Sequence, residues 1–161
     1  MSARKSDAAK HDPDAIFAMP MHAEKRVLPY APEQMFDLVA DVERYPEFLP
    51  WCTAVRVLER NGDVVISRME VGFKVFSESF TTRITLSPPG RIDVAYFEGP
   101  FKYLNNHWVF EPDAGGGCRV DFFVDFEFRS RIFGKLIGVV FNEAVQLMVS
   151  AFEKRARRLY S

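Results

Sequence analysis

Across Arg131–Tyr160 the apolar positions repeat at the spacing of a helix. With Phe133 as the origin of the wheel, Ile137, Phe141, Ala144, Met148, Ala151, Phe152 and Leu159 share one face, while Lys135, Asn142, Gln146, Glu153 and Arg157 fall on the other. Leu136, Val140, Val145 and Leu147 widen the apolar arc to about half the circumference, beyond the ~100° stripe of an ordinary surface helix. At ~1.5 Å per residue such a helix is about 45 Å long. An element this long and this apolar needs a large apolar partner.

Upstream the period changes to two. Cys118, Val120, Phe122, Val124, Phe126 and Phe128 alternate with Arg119, Asp121, Asp125 and Glu127, and Phe123 is the one ring on the polar side. Phe76, Phe80, Thr82, Ile84 and Leu86 alternate in the same way with Ser77, Ser79, Thr81, Arg83 and Thr85. Asn61-Gly62 joins strands at 54–60 and 63–73, because both turn residues can take positive φ. Residues 91–98 and 106–111 read as further strands, and 113–117 as a hairpin tip. A short first strand covers 23–28 and ends at Pro29. Pro32 then opens a helix with Glu33 in its first turn. A second short helix starts after Asp41, which can cap it, and stops before Pro46. Residues 45–51 are apolar but broken by two prolines, which predicts an ordered loop. Residues 1–20 read as a disordered tail or an over-called start, with Met19 and Met21 as alternative initiators. The order is strand, two short helices, about six hairpin-connected strands and the long helix. It predicts an α+β domain over 21–161 in which a curved antiparallel sheet grips that helix.

Composition adds an aromatic bias. The 161 residues include 16 Phe, 5 Tyr and 2 Trp, rings that suit a cavity wall, although composition alone favours a Phe-rich core. The 21 basic and 22 acidic side chains leave no basic excess, which argues against a DNA binder. Cys52 and Cys118 are too few for a disulfide framework and are not at a metal spacing, in keeping with a reducing compartment. No run is long and apolar enough to span a membrane, and no secretory signal precedes the domain. The three glycines at 115–117 lack the Lys-Ser/Thr and the helix of a phosphate loop. His107 is the one histidine clear of residues 1–22; it could serve as a general base, though a lone strand histidine is more often an ordinary surface or satisfied residue. Lys154, Arg155, Arg157 and Arg158 complement the helix dipole, or form a docking point for lipid head groups or RNA.

Two stretches carry a resemblance. Leu28-Pro29-Tyr30-Ala31-Pro32-Glu33-Gln34-Met35-Phe36-Asp37-Leu38-Val39 with Asp41-Val42-Glu43-Arg44-Tyr45-Pro46-Glu47-Phe48-Leu49-Pro50-Trp51-Cys52 resembles the coenzyme Q-binding protein family of the START-like, polyketide-cyclase-like (SRPBCC) superfamily. Glu98-Gly99-Pro100-Phe101-Lys102-Tyr103-Leu104-Asn105-Asn106-His107-Trp108-Val109-Phe110 is similar to the same family's second signature. The resemblance implies a helix-grip fold, with seven strands around the C-terminal helix and an apolar cavity between them. Mitochondrial members bind ubiquinone and support respiration without known catalysis. Bacterial relatives include ribosome-association toxins that bind the large ribosomal subunit. The first twenty residues lack the Arg-rich, acid-poor composition of a transit peptide, which reads as bacterial.

The resulting expectation is a non-enzymatic carrier or chaperone for ubiquinone or another isoprenoid lipid, cytoplasmic or peripheral at the inner membrane. It requires no cofactor or metal and uses no catalytic residue. The expected cavity wall comprises Phe36, Phe48, Trp51, Phe73, Phe76, Phe80, Tyr96, Trp108, Phe110, Phe122, Phe133, Ile137 and Phe141. Its mouth comprises Pro50 and the Gly99, Pro100, Phe101, Lys102 and Leu104 turn, with Lys102 set to meet a quinone oxygen or a lipid phosphate at the membrane surface. The alternatives are a toxin of the large ribosomal subunit and, more weakly, a small-molecule cyclase on the same fold.

Overall fold

The structure, a computed structural model, describes residues 21–73 and 76–161. The expected tail at 1–20 lies outside the described residues. Seven strands, β1 (Met21–Leu28), β2 (Cys52–Asn61), β3 (Val64–Phe73), β4 (Phe76–Ser87), β5 (Arg91–Glu98), β6 (Phe101–Pro112) and β7 (Cys118–Phe128), form one antiparallel sheet in the order β1-β7-β6-β5-β4-β3-β2. Consecutive strands from β2 to β7 pair with each other, as their short connections require, and β1 returns to pair with β7. Between β1 and β2 lie α1 (Pro32–Ala40) and a 3-10 helix (Val42–Glu47); α2 (Arg131–Tyr160) ends the chain.

Local chemistry accounts for these elements. Pro32 stands in the first turn of α1, and Gln34 reaches back to accept from the Ala31 amide at 2.9 Å. Asp41, expected to cap the second helix, makes no side-chain cap bond. That helix also runs past its expected end, with Pro46 inside it. The Tyr45 carbonyl still accepts from the amides of Phe48 and Leu49, so the 3-10 turn closes although Pro46 has no N–H to give. The Tyr45 hydroxyl is buried and donates to the Val39 carbonyl, tying the 3-10 helix to α1. Tyr45→Phe removes that donor, and a loss of about 1 kcal/mol is expected in urea denaturation.

α2 starts at Ser130, whose hydroxyl accepts from the Phe133 amide at 3.4 Å. It departs from the straight rod the periodicity suggests, bending by 60° between Arg131–Val139 and Glu143–Tyr160. Its second part buries Val145 and packs Met148, Phe152 and Ala156 into one core with the sheet and α1. Arg26 of β1 donates to Glu153 of α2 and, at 2.7 Å, to Glu24. Burial pushes the Glu24 carboxyl up, but bonds from Arg26 and His22 outweigh it and hold the group below its ordinary value. The apolar arc is wider than the sheet can cover, for Leu136, Leu147 and Leu159 are exposed.

Candidate functional site

Between the inner face of the sheet and α2 lies a cavity of about 280 Å³ with an almost wholly apolar wall. Strand alternation decides which side chains reach it. From β3 come Met69 and Val71, from β4 Glu78, Phe80, Thr82 and Ile84, and from β5 Ile92 and Val94. β6 contributes Phe101, Leu104, Asn106 and Trp108, and β7 contributes Phe122, Val124, Phe126 and Phe128. One face of α2 closes the space with Ile137, Phe141, Ala144, Val145, Met148 and Phe152. Val39, Val42, Tyr45 and Leu49 seal the α1 side.

Two apolar clusters form the walls and share Val124. In the smaller, Phe101 stands among Phe80, Tyr96, Phe126 and Phe128 at ring separations of 5.4, 5.5, 5.4 and 4.8 Å. In the larger, Trp108 lies 4.5 Å from Phe122 and 5.2 Å from Phe152. Four of these six contacts are edge to face and two are tilted, so the walls are built of large rings with few rotamers.

Of the expected wall residues, Trp51, Phe80, Trp108, Phe122, Ile137 and Phe141 line the cavity. Phe36 and Phe110 do not; they pack edge to face at 6.0 Å in the closed core. Tyr96 and Phe133 sit behind the smaller cluster, where the Tyr96 hydroxyl accepts from the Phe101 amide at 3.1 Å. The side chains of Phe73 and Phe76 lie outside the described residues. Phe48 and Pro50 line a separate surface groove with Leu147, Ser150, Ala151, Lys154, Arg155 and Arg158. There Arg155 donates to Glu47 at 3.0 Å, and its guanidinium lies 5.2 Å from the Phe48 ring centre.

The expected mouth also divides. The 99–104 stretch is not one turn, since β6 begins at Phe101. The register to β7 slips between Phe101 and Tyr103, a bulge that lets Phe101 and Leu104 both face inward with Pro100 beside them. Lys102 is the extra residue; it is exposed and pairs with Glu127 at 2.9 Å, away from the cavity lining. Gly99 has φ +145°, and a Cβ there would stand 2.6 Å from Phe80 Cβ, so its role is the close passage of chain behind a wall ring. Met69, Thr82, Asn106, Ala144 and Met148 line the cavity without having been singled out as wall residues. A search led by rings passes over them, although their alternation or helical spacing put them on the inner face.

The wall's chemistry is sparse. Among the described residues Tyr45 and Glu78 are its titratable side chains, and burial pushes the Tyr45 phenol up. The Trp51 indole nitrogen is covered by protein atoms and has no hydrogen-bond partner among the described residues. His107 faces away from the cavity lining and stacks on Phe123 at 5.0 Å. Burial pushes the Cys52 and Cys118 thiols up to about 11, so neither is a thiolate nucleophile at neutral pH. Among the described residues no cluster of His, Cys, Asp or Glu could hold a metal ion, and no single helix is long and apolar enough to cross a membrane.

Residues 28–153 match the family described as polyketide cyclase / dehydrase and lipid transport. A protein named ribosome association toxin RatA from Rickettsia prowazekii (strain Madrid E) is 41% identical over 138 residues, covering 83% of this chain and 94% of that relative. The mitochondrial coenzyme Q-binding protein COQ10 homolog B of Xenopus laevis is 38% identical over 143 residues, 86% of this chain and 59% of the longer relative. Among solved structures, the 18 kDa protein CC1736 from Caulobacter crescentus superposes with a TM-score of 0.72 at 37% identity, over 88% of this chain and 98% of that one.

Proposed function

The chain belongs to the polyketide cyclase / dehydrase and lipid transport family, and from that premise we propose that its cavity binds ubiquinone or a related isoprenoid lipid without transforming it. The observation that carries this reading is the wall itself: an apolar hollow under α2 in which, among the described residues, no acid–base pair or nucleophile is assembled. Apolar chain is held there by burial, at ~0.8 kcal/mol per CH₂. The name of the Xenopus laevis relative supports a quinone as the occupant. A cyclase would need polar groups placed to steer a reacting chain, and the lining offers Glu78, Thr82, Asn106 and the engaged Tyr45.

Both tryptophans of the chain, Trp51 and Trp108, line the cavity, so an occupant reports itself in their emission. Titration with a short-chain ubiquinone should quench that emission saturably. A purely linear decrease up to the solubility limit would count against the reading.

Loading from a membrane fits the outer side of α2. Ile132, Leu136 and Val139 are 74, 51 and 77% exposed at helical spacing, on the segment whose other side presents Ile137 to the cavity, and Arg131 and Lys135 are exposed beside them. Such a face suits transient contact with anionic lipid. Val139→Asp is expected to slow quinone transfer between anionic vesicles roughly tenfold. Equilibrium affinity in solution should not change, because Val139 does not line the cavity.

A second reading, association with the large ribosomal subunit, is supported by the name of the Rickettsia prowazekii relative and by the basic groove around Lys154, Arg155 and Arg158. Cosedimentation with purified ribosomes tests it: comigration with the large subunit and loss of joined particles would support it, and their absence would remove it.

A further inference from the structure

We infer that Trp108, with Phe122 and Phe152, is the end-stop of the cavity and sets the length of apolar tail that it takes; this rests on the quinone-binding reading above. The observation is a second hollow. A space of about 40 Å³ lies between β1 and α2, lined by Glu24, Arg26, Val120, Val149 and Glu153 among others. Its wall includes Trp108, Phe122 and Phe152, which also line the cavity. Three rings therefore stand between two voids.

The sheet explains why the partition falls there. Trp108 and Phe122 are partners across the β6–β7 ladder, and Phe122 is in turn the partner of Glu24 in β1. One strand beyond Phe122 the wall thus changes from rings to Glu24 and Arg26. Trp108 lies 4.5 Å from Phe122, and Phe152 comes from α2 to within 5.2 Å of it. On the far side Arg26 donates to both Glu24 and Glu153, an ion-paired cluster that an apolar tail cannot displace without cost.

The lining is half-buried at Pro100 and Ile137, beside the smaller cluster, and buried at Val39, Leu49, Phe122 and Phe152. An occupant accordingly keeps its polar end toward Pro100 and runs its tail toward the rings, where a further isoprene unit meets the indole of Trp108. A smaller apolar side chain at that position joins the two voids. Burial of even two further tail carbons there is worth about tenfold in affinity.

The test is competition mass spectrometry, in which the whole protein is incubated with an equimolar mixture of ubiquinones carrying one to six isoprene units and each bound fraction is read. Every protein meets the same mixture, so differences in ligand solubility cancel between wild type and variant. Trp108→Leu should raise the ratio of the longest to the shortest bound tail about tenfold. Phe122→Leu opens the same partition from β7 and should shift the ratio in the same direction. Val149→Leu narrows the hollow without touching the cavity lining, and should leave the wild-type ratio unchanged. Circular dichroism confirms the fold of each variant. An unchanged ratio in folded Trp108→Leu or Phe122→Leu, or a ratio lowered by Val149→Leu, would overturn the end-stop and leave the quinone reading standing. A wild type that retains no ubiquinone of any length would overturn the two together.

Discussion

Phe152→Ala is expected to destabilise the fold by about 3 kcal/mol, the low end of the range for deleting a buried phenylalanine ring. Phe152 is 5% exposed on α2, and its ring meets Tyr45 at 5.4 Å, Phe48 at 5.3 Å and Trp108 at 5.2 Å, all steeply inclined. It thus joins the grip helix to the 3-10 helix, the following loop and the sheet at one point. The low end applies because part of the ring already borders the cavity, so truncation removes fewer close contacts than in a filled core. For a domain of this size the midpoint of thermal unfolding should fall by roughly 6–12 °C. A loss below about 1 kcal/mol in urea denaturation would mean that α2 is held elsewhere.

The largest effect on binding is expected from Ala144→Phe. Ala144 lines the cavity from the middle of α2, so a ring grown there enters empty space and occupies the volume an occupant needs. Displacing even four methylenes of a prenyl chain forfeits ~3 kcal/mol, or about a hundredfold in affinity. Stability should hold to within about 1 kcal/mol, since the added ring fills a void and does not crowd a packed core. Ala151→Phe is the matched control. It makes the same change on the same helix, but Ala151 lines the outer groove with Lys154 and Arg158, and binding there should be unaffected. Equal losses in the two variants would point to a perturbed helix and away from a blocked cavity.

Much of this architecture follows from periodicity. The alternation through β7 places Phe122, Val124, Phe126 and Phe128 on the inner face, and the helical spacing from Ile137 through Phe141, Ala144 and Met148 to Phe152 puts all five on the cavity wall. Periodicity tells which face a residue takes, but not whether that face meets another side chain or a void. Phe36 and Phe110 are inward-facing rings that fill each other's space, while Ala144, with almost no side chain, borders the gap. Lys102 shows a second limit. One extra residue between Phe101 and Tyr103 resets the alternation, and nothing in the composition of that stretch announces the slip. Glu78 shows a third, for a lone acid interrupting an apolar stripe is easily read past although its parity places it inside. The exposed Leu136, Leu147 and Leu159 show that an apolar arc on a helix can exceed what the fold covers.

The central claim is that the cavity holds an isoprenoid quinone or a related lipid. Mass spectrometry of an organic extract, from protein purified without detergent, tests it most directly when wild type and Ala144→Phe are prepared side by side. A prenylated quinone or lipid near one per chain in the wild type, and depleted in Ala144→Phe, is the result the account predicts. Reproducible absence of any such molecule from the wild type, or equal amounts in both proteins, would contradict it.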